Sequence, residues 1–147
     1  MICFHRRDNL GDKHKYTGPE DFDFSKTDIV LPLFLYDHSG ITMNTTGFSC
    51  PWDSGQVGVI VARAAKIKAE FGNLKKETKE HVITILKSEV STYDQFLRGD
   101  IYGFVLEDEN GDEIDSCWGF YGENPLENGM SEHLDAEACK ALEIALK

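Results

Sequence analysis

The stretch Asp28-Ile29-Val30-Leu31-Pro32-Leu33-Phe34-Leu35-Tyr36 is uncharged and largely apolar after its first residue. An unbroken apolar run of this length, bounded by polar segments, is the pattern of a β-strand buried on both faces. Pro32 has no N–H to give to a ladder, so the strand carries a bulge or runs along an edge there. A buried strand needs neighbours, and the flanking sequence supplies candidates. Residues 40–44 form a short strand after a turn, and Gln56-Val57-Gly58-Val59-Ile60-Val61 returns as another. Upstream, Ile2-Cys3-Phe4-His5 reads as a first short strand, separated from the run by a polar loop over 6–26 that holds Gly11, Gly18 and Pro19.

Helical periodicity takes over further along. Residues 62–71 read as a helix that stops at Gly72, a residue suited to the left-handed turn that ends helices. Val82, Leu86, Val90, Tyr93 and Leu97 recur at three- and four-residue steps, which predicts a long helix over 76–97 ended by Gly99. Two strands, 101–106 and 114–121, flank Glu109-Asn110-Gly111-Asp112, a hairpin signal of the type I′ kind. A last helix is expected over 131–146, with Ser131 as N-cap and Leu134, Ala138, Ala141, Leu142 and Ala145 on its buried face. The order β, β, β, β, α, α, β, β, α predicts a single α+β domain over 1–147. Its expected form is a mostly antiparallel sheet with about three helices packed on one face.

The 147 residues suffice for one hydrophobic core without a disulfide or metal staple. The longest apolar run falls far short of the roughly 20 residues that cross a bilayer. The N-terminal basic pair Arg6-Arg7 follows its short apolar stretch, the reverse of a signal peptide, so no export and no membrane association are expected. Cys3, Cys50, Cys117 and Cys139 form no C-x-x-C pair and lack histidines at zinc-ligand spacing, so free thiols and no metal are expected. Fifteen basic against 26 acidic side chains give a net charge of −11. That balance disfavours direct nucleic-acid binding, which depends on Lys and Arg displacing counterions from phosphates. It suits solubility, or a surface that meets a basic partner.

The densest chemistry lies between the central strands. Tyr36-Asp37-His38-Ser39-Gly40 and Phe48-Ser49-Cys50-Pro51-Trp52-Asp53-Ser54-Gly55-Gln56 gather acid, imidazole, thiol, hydroxyl and indole within about twenty positions of a segment anchored at both ends. A catalytic reading makes Cys50 or Ser54 the nucleophile, His38 its base and Asp37 or Asp53 the orienting group. A structural reading gives Asp37 and Ser39 turn hydrogen bonds and lets Cys50 and Trp52 plug the core. A third makes the loop a binding element with Trp52 at its tip. His5-Arg6-Arg7-Asp8-Asn9-Leu10-Gly11-Asp12-Lys13-His14 is the only basic cluster; Arg6 and Arg7 offer planar forks for a carboxylate or phosphate, or are solvated or bonded to neighbouring acids.

Other patterns fail on spacing. Cys117-Trp118 resembles the papain-type Cys-Trp pair but lies in an expected hairpin strand, where a core thiol is the expectation. Asp108-Glu109-Asn110-Gly111 puts its glycine too early for an EF-hand loop. No P-loop, dinucleotide fingerprint, H-E-x-x-H or G-x-S-x-G occurs. No cofactor is expected.

His5-Arg6-Arg7-x-Asn9-Leu10-Gly11-Asp12, Leu31-Pro32-Leu33-x-Leu35-Tyr36-Asp37-His38-Ser39-Gly40, Phe48 to Gln56 and Asp115-Ser116-Cys117-Trp118-Gly119-Phe120 resemble a family of small proteins encoded by bacteriophages and other mobile elements. The resemblance runs from about residue 2 to residue 122, and Asp8 departs from it where an aromatic is expected. It implies action in the bacterial cytoplasm and transfers no catalytic residue. By analogy with small acidic proteins of such elements, the leading expectation is an interaction protein that blocks a defence complex of anti-CRISPR or anti-restriction type. Its partner would be a host or phage protein with a basic surface, met through Asp37, His38, Trp52, Asp53, Arg6 and Arg7. The alternative is a small hydrolase or nucleotide-processing enzyme built on His38, Cys50 and Asp53.

Overall fold

A computed structural model describes residues 1–146. Its strands are β1 (Ile2–Cys3), β2 (Ile29–Asp37), β3 (Ile41–Asn44), β4 (Ser54–Ala62), β5 (Ile101–Glu107) and β6 (Glu113–Tyr121). Its helices are α1 (Ala64–Phe71), α2 (Lys76–Arg98) and α3 (Ala136–Ala145). The class is α+β, and every strand pairing is antiparallel. The strands form two sheets, one ordered β1-β4-β2-β3 and one of β5-β6 alone. The chain divides into two compact units, Met1–Asp94 and Gln95–Lys147.

In the first unit the deciding strand sits between β4 and β3. Its burial differs from the expectation. Ile29, Leu33 and Leu35 are buried, whereas Val30 is exposed and Phe34 and Tyr36 are half-covered. One face of β2 therefore makes the core, and the other is only partly shielded, in part by Phe48, whose ring centroid lies 5.7 Å from that of Tyr36. Pro32 is accommodated in two ways. It pairs with Val59 of β4 while β3 reaches only Phe34 to Asp37, and the register shifts at Leu33/Phe34 immediately after it. Leu33, Met43, Ile60 and Val90 are the largest fully buried side chains.

Buried Val82, Leu86 and Val90 recur every fourth residue along α2 and form its apolar stripe. Polar bonds fix the far end of that helix. Thr42 Oγ1 and the Met43 N–H donate to the Asp94 carboxylate at 2.6 and 2.7 Å, and the Gly11 N–H donates to the Tyr93 hydroxyl at 2.8 Å. β1 lies so close to β4 that a Cβ on Gly58 would overlap the Ile2 carbonyl, which explains a glycine inside a strand.

The polar segment before β2 is held by Arg63. Its guanidinium donates to the Asp23 carboxylate, to the Asp23 carbonyl at 3.0 Å, to Asp28 at 3.1 Å and to the Tyr16 hydroxyl at 2.9 Å. It also lies 4.8 Å from the Phe24 ring centroid. The Arg63 bond holds Asp23 well below the usual carboxylate range, at about 2. Asp28 is likewise lowered to about 2, chiefly by the Ala64 and Ser25 N–H groups.

In the second unit β5 and β6 form a hairpin with two register shifts. The turn is not the expected type I′, because Asn110 has no positive φ. Instead Gly111 alone takes φ 86, and its N–H donates to the Asp108 carbonyl at 3.0 Å, the type I turn-plus-glycine arrangement of longer hairpin loops. The Asp112 and Asn110 N–H groups donate to the Asp108 carboxylate and lower its pKa.

The last helix also differs from the expectation. Met130–His133 forms a separate short 3-10 turn, Leu134 is extended, and α3 starts after Asp135. Asp135, not Ser131, is the N-cap, accepting from the N–H groups of Glu137 and Ala138. No residue of α3 is fully buried, and Ala141 and Ala145, expected on the covered face, are exposed.

Candidate functional site

The residues singled out in the sequence meet at one end of the first sheet. β2 ends at Asp37 and β4 begins at Ser54, and the register pairs Tyr36 with Ser54. The next pair outward closes the ladder: the Asp37 N–H donates to the Asp53 carbonyl at 2.8 Å. This fixes the two aspartates side by side. The chain then turns tightly into β3, with the His38 N–H donating to the Gly40 carbonyl at 3.1 Å and Ser39 held at φ 60.

Asp53 is the hub. Its Oδ2 lies 3.3 Å from His38 Nδ1 and 3.8 Å from Cys50 Sγ, which donates to it. The Ser54 hydroxyl donates to the Cys50 carbonyl, so the hydroxyl braces the loop and its proton is directed away from any substrate. The three proposed catalytic side chains do converge, but their order is thiol–carboxylate–imidazole. A nucleophilic pair requires the imidazole beside the sulfur. Here the sulfur donates to the Asp53 carboxylate, which stands between it and the imidazole.

Asp37 serves a second cluster. Its carboxylate pairs with Arg7, and His5 Nε2 lies 3.8 Å away. The Asp8 N–H donates to His5 Nδ1 at 3.2 Å. Arg7, itself exposed, is thus paired with an acid of the same site, while Arg6, also exposed, lines a cavity with Asp8, Lys13 and His14. The two arginines therefore do not act as one fork. Cys3, which also lines this cavity, has its thiol pushed up to about 11 by burial.

Trp52 stands apart from these bonds. It is 91% exposed at the tip of the loop, flanked by exposed Pro51. The structural reading in which Trp52 plugs the core is therefore wrong. The neighbouring Cys50 is half-buried, and Cys117 on the hairpin is half-buried rather than a core thiol.

A second surface was not apparent in the overall charge. Residues 95–147 contain 13 of the 26 acidic side chains but only 3 of the 15 basic ones, a net charge of −10. Residues 1–94 carry −1. On the same acidic unit Trp118, Ile114 and Val105 are exposed. Splitting the charge count at the end of the long helix would have revealed this in the sequence.

Among the described residues, no group of three or more His, Cys, Asp or Glu side chains is placed to hold a metal ion, and no helix is long and apolar enough to cross a membrane. Comparison with protein-family models, with curated proteins and with solved structures gives no significant match, so the site's reading rests on its own geometry.

Proposed function

We propose that this chain is an interaction protein that occupies a basic surface of a partner protein, with its second unit supplying the charge. The observation that carries this reading is the segregation of charge: a net −10 in residues 95–147 against −1 in the rest. Charge spread evenly would serve solubility alone. Charge gathered on one compact unit creates a field that steers a cationic partner and sets its orientation. The fully exposed Trp52, on a loop braced at both ends, supports a contact role for the first unit as well, because rigid exposed indoles are efficient interface anchors. The resemblance to proteins of mobile elements supports a bacterial cytoplasmic setting, with a CRISPR effector or restriction enzyme as the class of target.

The experiment is affinity purification of the tagged chain from bacterial lysate at 50 mM and 500 mM salt, read by mass spectrometry. A stoichiometric partner retained at low salt and lost at high salt agrees with the proposal. A partner held equally at both salts contradicts it, since exposed charge pairs are screened within about 8 Å at physiological ionic strength.

One observation favours a second reading, a hydrolase or nucleotide-processing enzyme: His38 and Cys50 share the Asp53 carboxylate. It requires His38 to leave Asp53 and reach the sulfur. Stoichiometric labelling of Cys50 by iodoacetamide, with a rate that follows an imidazole titration near pH 6.5, would favour that enzyme. A Cys50 rate rising only toward pH 8–9 counts against it.

A further inference from the structure

The hairpin of the second unit carries a patterned face. Register pairs place Gly103 opposite Trp118, Val105 opposite Ser116 and Glu107 opposite Glu113, and alternation along β5 sets all three pairs on one face. The six-membered ring of Trp118 fills the space a Cβ on Gly103 would occupy, so the indole lies across β5 and not only above its own strand. An aromatic laid over a cross-strand glycine is a stabilising pairing in sheets. It leaves the indole's outer side in solvent, and Trp118 is 68% exposed. Val105, two residues on, is 48% exposed.

The end of the face is electrostatically unfavourable by itself. Glu107 and Glu113 are direct cross-strand partners, and like charges so placed repel. Glu113 accepts from the Ser116 hydroxyl at 2.7 Å. A cation between the two carboxylates would convert that repulsion into attraction. An indole face also attracts the cations of arginine and lysine, better than a Tyr or Phe ring does. β5 pairs with no strand but β6 among the described residues.

Resting on the basic-partner reading above, we propose that this face docks an extended segment of the partner aligned with β5, bearing the pattern cation–x–apolar–x–cation. The first cation lies over Trp118, the apolar residue covers Val105, and the second cation sits between Glu107 and Glu113. The spacing follows from the strand. Gly103 and Glu107 are four residues apart, about 14 Å at roughly 3.4 Å per residue, the distance an extended segment covers between its own positions i and i+4. Charge complementarity selects the occupant: an apolar or acidic segment would leave the glutamate pair unrelieved.

The test uses the full chain and two fluorescein-labelled peptides of equal composition, one containing Arg-Thr-Val-Thr-Arg and one containing Arg-Arg-Val-Thr-Thr, read by anisotropy at 50 mM salt. The alternating peptide is expected to bind about tenfold more tightly than the shuffled one. Trp118→Ala is expected to remove about tenfold of that affinity, and Glu107→Gln/Glu113→Gln to remove a similar factor. Trp118→Phe, which keeps a ring over Gly103, should retain part of it, which separates loss of contact from loss of fold. Equal binding of both peptides, unaffected by Trp118→Ala, overturns the docking site but leaves the general acidic reading standing. No binding of either peptide also overturns the docking site, and the lysate capture then decides the general reading separately.

Discussion

Leu33→Ala is the sharpest test of the first unit's architecture. Leu33 is completely buried on the strand between β4 and β3, and that strand delivers Asp37 and His38 to the candidate site. Truncation removes three buried carbon atoms and leaves a cavity in a sheet core with little room to collapse. Comparable replacements cost about 2–5 kcal/mol. With a urea dependence of about 1–3 kcal/mol per molar, the midpoint of unfolding should fall by about 1–2 M. Val30→Ala, three residues away on the same strand but exposed, should cost less than about 1 kcal/mol. Far-UV circular dichroism across a urea series measures both. A Leu33→Ala cost below about 1 kcal/mol, or a Val30→Ala cost equal to it, would refute the assignment of the core face of β2.

Asp135→Ala should destabilise the chain by about 1 kcal/mol through loss of the α3 N-cap, whereas Ser131→Ala should have a smaller effect; paired thermal melts separate the two. Asp23 and Asp28 have folded pKa values near 2, below the unfolded value of about 3.9. Their contribution is therefore fully present above about pH 4 and is lost as pH falls toward 2. Urea midpoints from pH 5 to pH 2 should decline less steeply in Asp28→Asn. The Cys3 thiol, pushed up to about 11 by burial, should react with a disulfide reagent at pH 8 far more slowly than half-buried Cys117, as read by mass spectrometry of the labelled peptides.

Local pattern made most elements legible in the sequence. The apolar run gave β2, Pro32 marked a bulge or an edge there, and the four-residue spacing of Val82, Leu86 and Val90 gave the α2 stripe. What failed depended on competition between local choices. Ser131 and Asp135 are both good caps, and extended Leu134 between them decides for Asp135. Asn110-Gly111 signals a hairpin, but an Asp108 carboxylate that accepts two loop N–H groups selects a different turn. The gathering of His38, Cys50 and Asp53 followed from the anchored ends of their segment. Which of the three stands in the middle is a matter of side-chain geometry that spacing does not carry. The hairpin face is hidden in the sequence because a single net charge conceals where the charge lies.

The most direct test of the central claim compares the wild-type chain with a variant carrying Glu107→Gln, Glu109→Gln, Glu113→Gln and Glu123→Gln in the same low-salt capture. These changes leave the Asp108 turn bonds and the Asp135 cap in place. The account predicts that the stoichiometric partner seen with the wild type is lost or strongly depleted with the variant. Undiminished capture would contradict the claim that the second unit's charge holds the partner.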